Sequence, residues 1–182
     1  MSGIASKGQL RLSFLRWAMV TVPSIMFLGL ASGLLAGSGE ENRWYAALEK
    51  SSANPPGYAF GIVVPILYLM LGLSLAYILH ARGAKGRGLA IMFFIVQLVC
   101  NLLWSPLFFG AHEVTLALYL LIILFVLALV TTLLFGKIRP VAAWLMVPYL
   151  CWLGFATGLN YDVHRLNPDA ETLAVPAART QI

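Results

Sequence analysis

Five long apolar stretches, separated by short connections, dominate the pattern of hydrophobic and polar positions along the chain. They cover residues 17–37, 58–79, 89–110, 114–135 and 141–161. Each stretch is long enough to cross a bilayer as a helix, which takes about 20 residues. The pattern therefore predicts an all-α fold, an integral membrane bundle of five transmembrane helices.

The composition agrees with this class of protein. The 182 residues are 60% hydrophobic and 10% charged, and the mean hydropathy is +0.86. These values lie outside the range of soluble globular proteins, and the length suits one compact domain. We expect a basic N-terminal extension at 1–16, the five-helix membrane domain at 17–166 and a flexible C-terminal tail at 167–182.

The first apolar stretch has two interpretations. Basic residues precede it, and the small residues at 31–39 resemble a cleavage site, as in a secretory signal peptide. Cleavage there would leave four spans. Its apolar run of about 20 residues exceeds the 7–15 of a typical signal peptide, which favours a membrane span.

The net charge of +5 is divided between the two ends of the predicted bundle. Of the 12 basic residues, eight lie on the side of the N-terminus, namely Lys7, Arg11, Arg16, Arg82, Lys85, Arg87, Lys137 and Arg139. The other side has Arg43, Lys50, Arg165 and Arg179. The positive-inside rule then places the N-terminus in the cytoplasm, and we expect a bacterial inner membrane. Because these residues act as topological signals, we expect no nucleic-acid partner.

The third stretch carries a polar face. Gln97, Asn101, Trp104 and Ser105 are spaced by four, three and one residues, so they lie on one side of a helix. An amide facing hydrocarbon would lack hydrogen-bond partners and cost a few kcal/mol, so this face should point into the protein. Two roles stay open for it: contacts that join neighbouring helices, or contacts with a ligand.

The longest connection, at 38–56, contains a short amphipathic segment with Trp44 and Tyr45. These aromatic residues could anchor the loop at the membrane interface, as aromatic belts do. They could also fold back as a lid over a cavity between the helices. The sequence alone leaves both interpretations open.

Cysteine and histidine positions do not indicate a metal site. Cys100 and Cys151 lie within predicted spans, where a thiol usually packs as a small apolar side chain. The three histidines lie at the ends of different spans, without paired cysteines or carboxylates. We therefore expect no metal and no required cofactor.

Three segments together resemble the TspO/MBR family, the tryptophan-rich sensory proteins and the mitochondrial translocator proteins. The segments are WYAALEK…NPP…F…LY at 44–68, QLVCNLLWSPLFFG at 97–110 and PYLCWLGFATGLNYDVHRLN at 148–167. Their order and spacing are similar to those of the family. The resemblance implies a five-helix bundle, often a homodimer, that binds porphyrins such as protoporphyrin IX or haem and, in some members, cholesterol and synthetic ligands.

The resemblance also implies site residues. Carried over by position, Asn101, Trp152 and Ala156 would line the ligand pocket, with Phe60, Tyr68 and Trp104 nearby. Leu159, Tyr161 and Arg165 fit the loose L-x-Y-x-x-x-R pattern proposed for sterol contact.

The sequence departs from the family pattern at two places, and both affect the expectation of porphyrin degradation. The K-P-x-W-x-P-P segment of the family reads KSSANPP at 50–56, and the tryptophan of F-x-x-V-W-x-x-L-Y is replaced by Val64. Some bacterial members degrade porphyrin in light, an activity attributed to these tryptophans. This enzymatic function is the alternative interpretation, and the two replacements argue against it here.

The remaining sequence features favour a binding protein. No nucleophile–base pair, paired carboxylates or nucleotide-binding loop is present, and no acidic residue lies in the middle of a span. A primary transporter or channel therefore ranks last. We expect a membrane protein that binds porphyrin, haem or sterol-like molecules and takes part in sensing, regulation or transport of tetrapyrroles, with no enzymatic activity.

Overall fold

The computed structural model describes residues 7–173. It contains six α-helices: α1 (Lys7–Leu35), α2 (Arg43–Ala47), α3 (Gly57–His80), α4 (Arg87–Ser105), α5 (Val114–Ile138) and α6 (Pro140–Leu166). A π-helical turn, Pro106–Gly110, continues α4, and a 3-10 turn, Ala170–Thr172, follows α6. Within 7–173 there is no β-strand. All helices except α2 are long and apolar enough to cross a membrane, which confirms the predicted five-span bundle.

The first helix begins earlier than the apolar stretch indicated, at Lys7 instead of at residue 17. Packing explains the difference, because the ring of Phe14 lies against that of Tyr77 on α3 with centroids 4.4 Å apart. Part of the predicted basic extension is therefore the first turns of α1. Residues 1–6 of that extension and 174–182 of the predicted tail, including Arg179, lie outside the described residues.

The five long helices form a closed ring. Helix α1 packs on α3, α3 on α6, α6 on α5, α5 on α4, and α4 returns to α1. Along α5, the residues from Val114 to Phe135 that repeat every three or four positions are buried, while the opposite face is exposed and apolar. One side of α5 therefore packs in the bundle, and the other side presents an apolar surface outward.

Helices α1 and α3 approach each other closely because α3 has a glycine at their contact. A Cβ atom on Gly72 would lie 2.6 Å from the Cα atom of Val22. The short distance also lets the Thr21 hydroxyl donate a 2.7 Å hydrogen bond to the Gly72 carbonyl. Small residues and hydroxyl groups of this kind are the usual means of helix association in membranes, where lipid removes the hydrophobic driving force.

A second hydroxyl compensates for a proline. Pro106 has no N–H group, so the Leu102 carbonyl four residues earlier loses its usual intrahelical donor. The hydroxyl of Ser32 on α1 donates to that carbonyl at 2.6 Å. The chain continues past Pro106 as a π-helical turn instead of ending, because a neighbouring helix satisfies the freed group.

Candidate functional site

Four polar side chains form a hydrogen-bonded network inside the ring. The Tyr68 hydroxyl on α3 donates to Asn101 Oδ1 on α4 at 3.0 Å, and Asn101 Nδ2 donates to the Tyr149 hydroxyl on α6 at 3.0 Å. Tyr149 in turn donates to Gln97 Oε1 at 3.0 Å. The network ties three helices together, and Gln97 and Tyr149 are almost completely buried.

The network leaves one buried donor unused. Gln97 Nε2 has no hydrogen-bond partner among the described residues, although the atom is inaccessible to solvent. Asn101 also uses only one of its two amide protons in the bonds just described. An unsatisfied amide in a low-dielectric interior is costly and usually indicates a missing partner.

Sequence reasoning placed the polar face of α4 in the interior, and the hydrogen bonds of Gln97 and Asn101 confirm this. The residues carried over from the family resemblance did not include Gln97 or Tyr149. A signal for Tyr149 was present, because it lies three residues before Trp152 and seven before Ala156, on the same side of a helix.

An apolar groove of about 430 Å³ runs between α3 and α6 on the outer side of the ring. Its lining residues are Val63, Ile66, Leu67, Met70, Pro148, Cys151, Trp152 and Phe155. At Trp152 the groove meets Phe60, whose ring lies edge-on to the indole with centroids 5.5 Å apart. Ala156 follows Trp152 by one turn and packs, half-buried, on the same core.

The groove and the polar network lie on adjacent positions of the same two helices. Leu67 lines the groove and Tyr68 belongs to the network; Pro148 lines the groove and Tyr149 belongs to the network. The contact between α3 and α6 thus contributes residues both to the groove and to the polar network.

Trp104 lies between the main core, on which Tyr68 and Trp152 also pack, and the cluster beneath the 38–56 loop. Its ring stacks on Phe108 with centroids 5.1 Å apart, and its indole N–H donates to Asn160 Oδ1 at 3.3 Å. The amide of Asn160 also donates to the Val114 carbonyl at 3.0 Å. This cluster lies beneath the 38–56 loop, so Trp104 supports the loop and does not touch Asn101 or Trp152 through a hydrogen bond or ring contact.

The loop at 38–56 folds back onto the bundle, so its aromatic residues are not exposed interface anchors. Trp44 and Tyr45 are 3% and 9% exposed. The Trp44 indole stacks on His112 at 4.3 Å between centroids and donates to the Ala170 carbonyl at 2.8 Å. The loop thus folds back and covers this end of the bundle, and it is called the lid below.

The segment after α6 forms hydrogen bonds with the lid and with the start of α5. Asn167 accepts a hydrogen bond from the Glu49 backbone N–H at 2.7 Å and donates to the Glu49 carbonyl at 2.9 Å. Glu171 accepts a bond from the Thr115 N–H at 2.8 Å, and this bond lowers the pKa of its carboxyl group. The sequence did not single out these residues, because their partners lie far away along the chain.

Burial also changes the acidity of Tyr45 in the lid. The Tyr45 hydroxyl donates to Asn54 Oδ1 at 3.3 Å. Burial raises the pKa of this phenol above its ordinary value, since an ionised phenolate would lose its hydration. The hydrogen bond between Tyr45 and Asn54 opposes the rise in pKa, and the nearby Glu40 carboxylate adds to it.

The predicted sterol-motif residues do not form one surface. Tyr161 and Arg165 are four residues apart and exposed on the same side of α6, whereas Leu159 is half-buried and points elsewhere. Arg165 pairs with Asp162 at 3.7 Å, with most of its side chain in solvent. No group of three or more potential metal ligands occurs within 7–173.

The structure therefore divides the residues that were expected around one pocket into three places. Tyr68 and Asn101 join in the interior network, and Phe60 and Trp152 meet at the groove behind it, with Ala156 one turn away. Trp104 packs both on the main core and on the cluster under the lid.

Comparison with known proteins gives a consistent assignment. The TspO/MBR family profile matches residues 19–166. A tryptophan-rich protein TspO from Chlorobaculum tepidum is 37% identical over 126 residues, which cover 69% of this chain and 80% of that protein. The translocator protein of Homo sapiens is 37% identical over 153 residues, covering 80% and 90% of the two chains. Protein CrtK from Rhodobacter capsulatus is 32% identical over 133 residues, covering 72% and 83%.

The matched region extends over the five membrane-spanning helices and includes the network, the groove and the lid. The chain therefore belongs to the TspO/MBR family and is an integral, multi-pass membrane protein.

Proposed function

We propose that this protein binds a flat, mostly apolar molecule, a porphyrin or haem or a sterol-like compound, in the groove between α3 and α6. The observation that carries the proposal is the apolar groove of about 430 Å³ with the Phe60–Trp152 pair in its wall. Binding sites for small molecules have volumes of about 300–1,000 Å³ and are lined mainly by apolar and aromatic side chains.

The polar network supports the same proposal. A few polar groups usually orient the ligand in an otherwise apolar site. Gln97 Nε2 is a donor without a partner, and Asn101 retains an amide proton beyond its two bonds to tyrosines. A small opening of the α3–α6 seam would bring these donors to a carbonyl, carboxylate or hydroxyl of the bound molecule.

The names of the relatives support a proposal for the biological role. Proteins named translocator protein and tryptophan-rich sensory protein are 37% and 34% identical to this chain. We infer a role in sensing, regulation or transport of tetrapyrroles or sterols at a membrane. For a sterol, Tyr161 and Arg165 offer a hydroxyl group and a charge at the exposed end of α6. Light-dependent degradation of porphyrin remains the alternative, and Val64 in place of tryptophan argues against it.

Orientation and assembly are proposals of the same kind. The excess of basic residues at the N-terminal end of α1 favours a cytoplasmic location for that end, in a bacterial inner membrane. The exposed apolar face of α5 is suited to a homodimer interface. Labelling of single cysteines from either side of the membrane tests the first proposal, and cross-linking of cysteines on α5 tests the second.

The experiment for ligand binding is a titration of the purified protein with protoporphyrin IX, followed by the porphyrin's own absorption in detergent. We expect saturable binding. Trp152→Phe should weaken it by about two- to tenfold, because aromatic packing is worth roughly 0.5–1.5 kcal/mol beyond area burial.

Trp144→Phe is the matched control, because Trp144 lies on the same helix, outside the groove, and is 72% exposed. Cholesterol added in competition with the porphyrin shows whether the two compounds bind at one site or at two. Unsaturable uptake of porphyrin, or equal affinities of the Trp152→Phe and Trp144→Phe variants, would refute the groove as the binding site.

A further inference from the structure

The two ends of the bundle differ completely in acidic residues. All seven acidic residues lie at the end covered by the 38–56 loop, and they are Glu40, Glu41, Glu49, Glu113, Asp162, Asp169 and Glu171. The opposite end, here called the basic end, is formed by the first turns of α1 and by the α3–α4 and α5–α6 connections. Its described charged residues are Arg11, Arg16, Arg82, Lys85, Arg87, Lys137 and Arg139.

A cleft of about 310 Å³ opens at the basic end between α1 and the α3–α4 connection. Its lining residues are Ser13, Arg16, Trp17, Val20 and Arg82. The four residues from α1 are spaced by three, one and three positions, so they share one side of the helix. Along that side the lining changes from a hydroxyl and a guanidinium group to an indole and a valine one turn deeper in the membrane.

Neither arginine of the cleft forms an ion pair with a carboxylate of residues 7–173. The single ion pair within 7–173 joins Arg165 to Asp162, at the opposite end. Arg87, by contrast, uses its guanidinium group to bind the carbonyls of Ile78 and Leu79. Arg16 and Arg82 therefore bring positive charge from two separate elements to one cleft, and an anion for it must come from outside the chain.

The cleft is held in shape by neighbouring contacts. His80 Nδ1 and the Ser13 hydroxyl lie 3.2 Å apart, and the ring of Phe14 packs on both Tyr77 and His80. These contacts fix the end of α3, and with it the start of the connection that carries Arg82, against α1. The cleft is thus part of the packed bundle.

We propose that this cleft is a binding site for an anionic phospholipid. The lipid phosphate binds Arg16 and Arg82, whose planar donors suit phosphate oxygens, and an acyl chain lies along Trp17 and Val20. A zwitterionic lipid competes poorly, because its own ammonium group offsets the phosphate charge. Inorganic phosphate has the same oxygens but lacks the chain that Trp17 and Val20 would cover.

The test is native mass spectrometry of the whole protein in a neutral detergent, titrated with phosphatidylglycerol, phosphatidylcholine or inorganic phosphate. We expect one phosphatidylglycerol to bind in preference to the other two. R16Q/R82Q should weaken its binding by about 30-fold, because each basic side chain near a lipid headgroup contributes about 1 kcal/mol. R16K/R82K returns the charge but not the planar donors, so it should recover only part of the affinity.

The control variant K137Q/R139Q removes the same charge from the same end but leaves the cleft intact, so its affinity should stay close to that of the wild type. Equal losses in both double variants would mean that only the diffuse charge attracts the lipid, and would overturn the site. Equal affinity for inorganic phosphate or for phosphatidylcholine would overturn the assignment to an anionic lipid. Helical circular dichroism of each variant confirms that it has folded.

Discussion

The hydroxyl of Ser32 on α1 donates a 2.6 Å hydrogen bond to the Leu102 carbonyl on α4, the acceptor that Pro106 leaves without an intrahelical donor. The polar segment at 97–110 therefore depends on a residue almost seventy positions earlier in the chain for its backbone hydrogen bonding. The bond joins α1 to α4, which closes the ring of helices.

Removal of this hydroxyl should destabilise the bundle. We expect Ser32→Ala to lower the free energy of unfolding by about 0.5–2 kcal/mol, the range measured for interhelical hydrogen bonds in membranes. Unfolding in detergent titrated with SDS measures the change. Ser24→Ala is the control, because Ser24 is exposed on the same helix and has no side-chain hydrogen bond in the described region. Equal effects of the two substitutions would contradict the role of Ser32.

The contact between α1 and α3 should be sensitive to a single methyl group. Gly72→Ala places a Cβ atom 2.6 Å from the Val22 Cα atom, so one helix must shift, at a cost of about 1–3 kcal/mol. Unfolding in detergent titrated with SDS measures this change in stability as well. On the same helix, Gly61→Ala meets no atom within 4 Å and should leave stability unchanged or slightly higher. A stable Gly72→Ala protein would show that the two helices are less tightly packed than described.

A substitution at Tyr149 should disrupt the interior network, because Tyr149 forms hydrogen bonds with both Asn101 and Gln97. Tyr149→Phe removes a donor to Gln97, which is buried, and an acceptor for Asn101, which is partly buried. We expect a loss of about 1–3 kcal/mol in the free energy of unfolding, since buried groups without partners are costly. Tyr161→Phe, at an exposed position of the same helix, provides the comparison. Similar stability of the two variants would rule out a structural role for the network.

Alkaline pH should loosen the lid through Tyr45. Because burial raises the pKa of this phenol above 10.0, the neutral form stabilises the closed lid fully below pH 10, and the stabilisation is lost as pH rises through the folded-state pKa. The difference in tyrosinate absorption between the wild type and Tyr45→Phe isolates this titration. Its midpoint should lie above 10. A midpoint at or below 10 would indicate that the Tyr45 ring is solvated and the lid open.

Much of the fold follows from the sequence, because membrane spans are governed by local hydrophobicity. The five helices and the inward face of Gln97 and Asn101 were predictable for this reason. The start of α1 at Lys7 was not, since the contact of Phe14 with Tyr77 holds turns that the apolar pattern does not include.

The site was predictable only in part. The family resemblance supplied Phe60, Asn101 and Trp152, but their grouping depends on how each helix is rotated against its neighbours. Trp104 is directed under the lid by its bond to Asn160, a partner more than fifty positions away. A spacing pattern within one helix carries no information about such partners, and for the same reason the lid contacts of Asn167 and Glu171 could not be predicted.

Cys151 lies in the wall of the groove between α3 and α6, so its reactivity reports whether the proposed ligand occupies the groove. In a Cys100→Ala background, the rate of alkylation of Cys151 by a membrane-permeable maleimide is measured with and without saturating protoporphyrin IX. Ile123→Cys on the exposed face of α5, in a background lacking both native cysteines, controls for nonspecific effects of the porphyrin. We predict that porphyrin slows the reaction of Cys151 several-fold and leaves that of the α5 cysteine unchanged. An unchanged rate at Cys151 under saturation would contradict the proposal that the ligand binds in the groove.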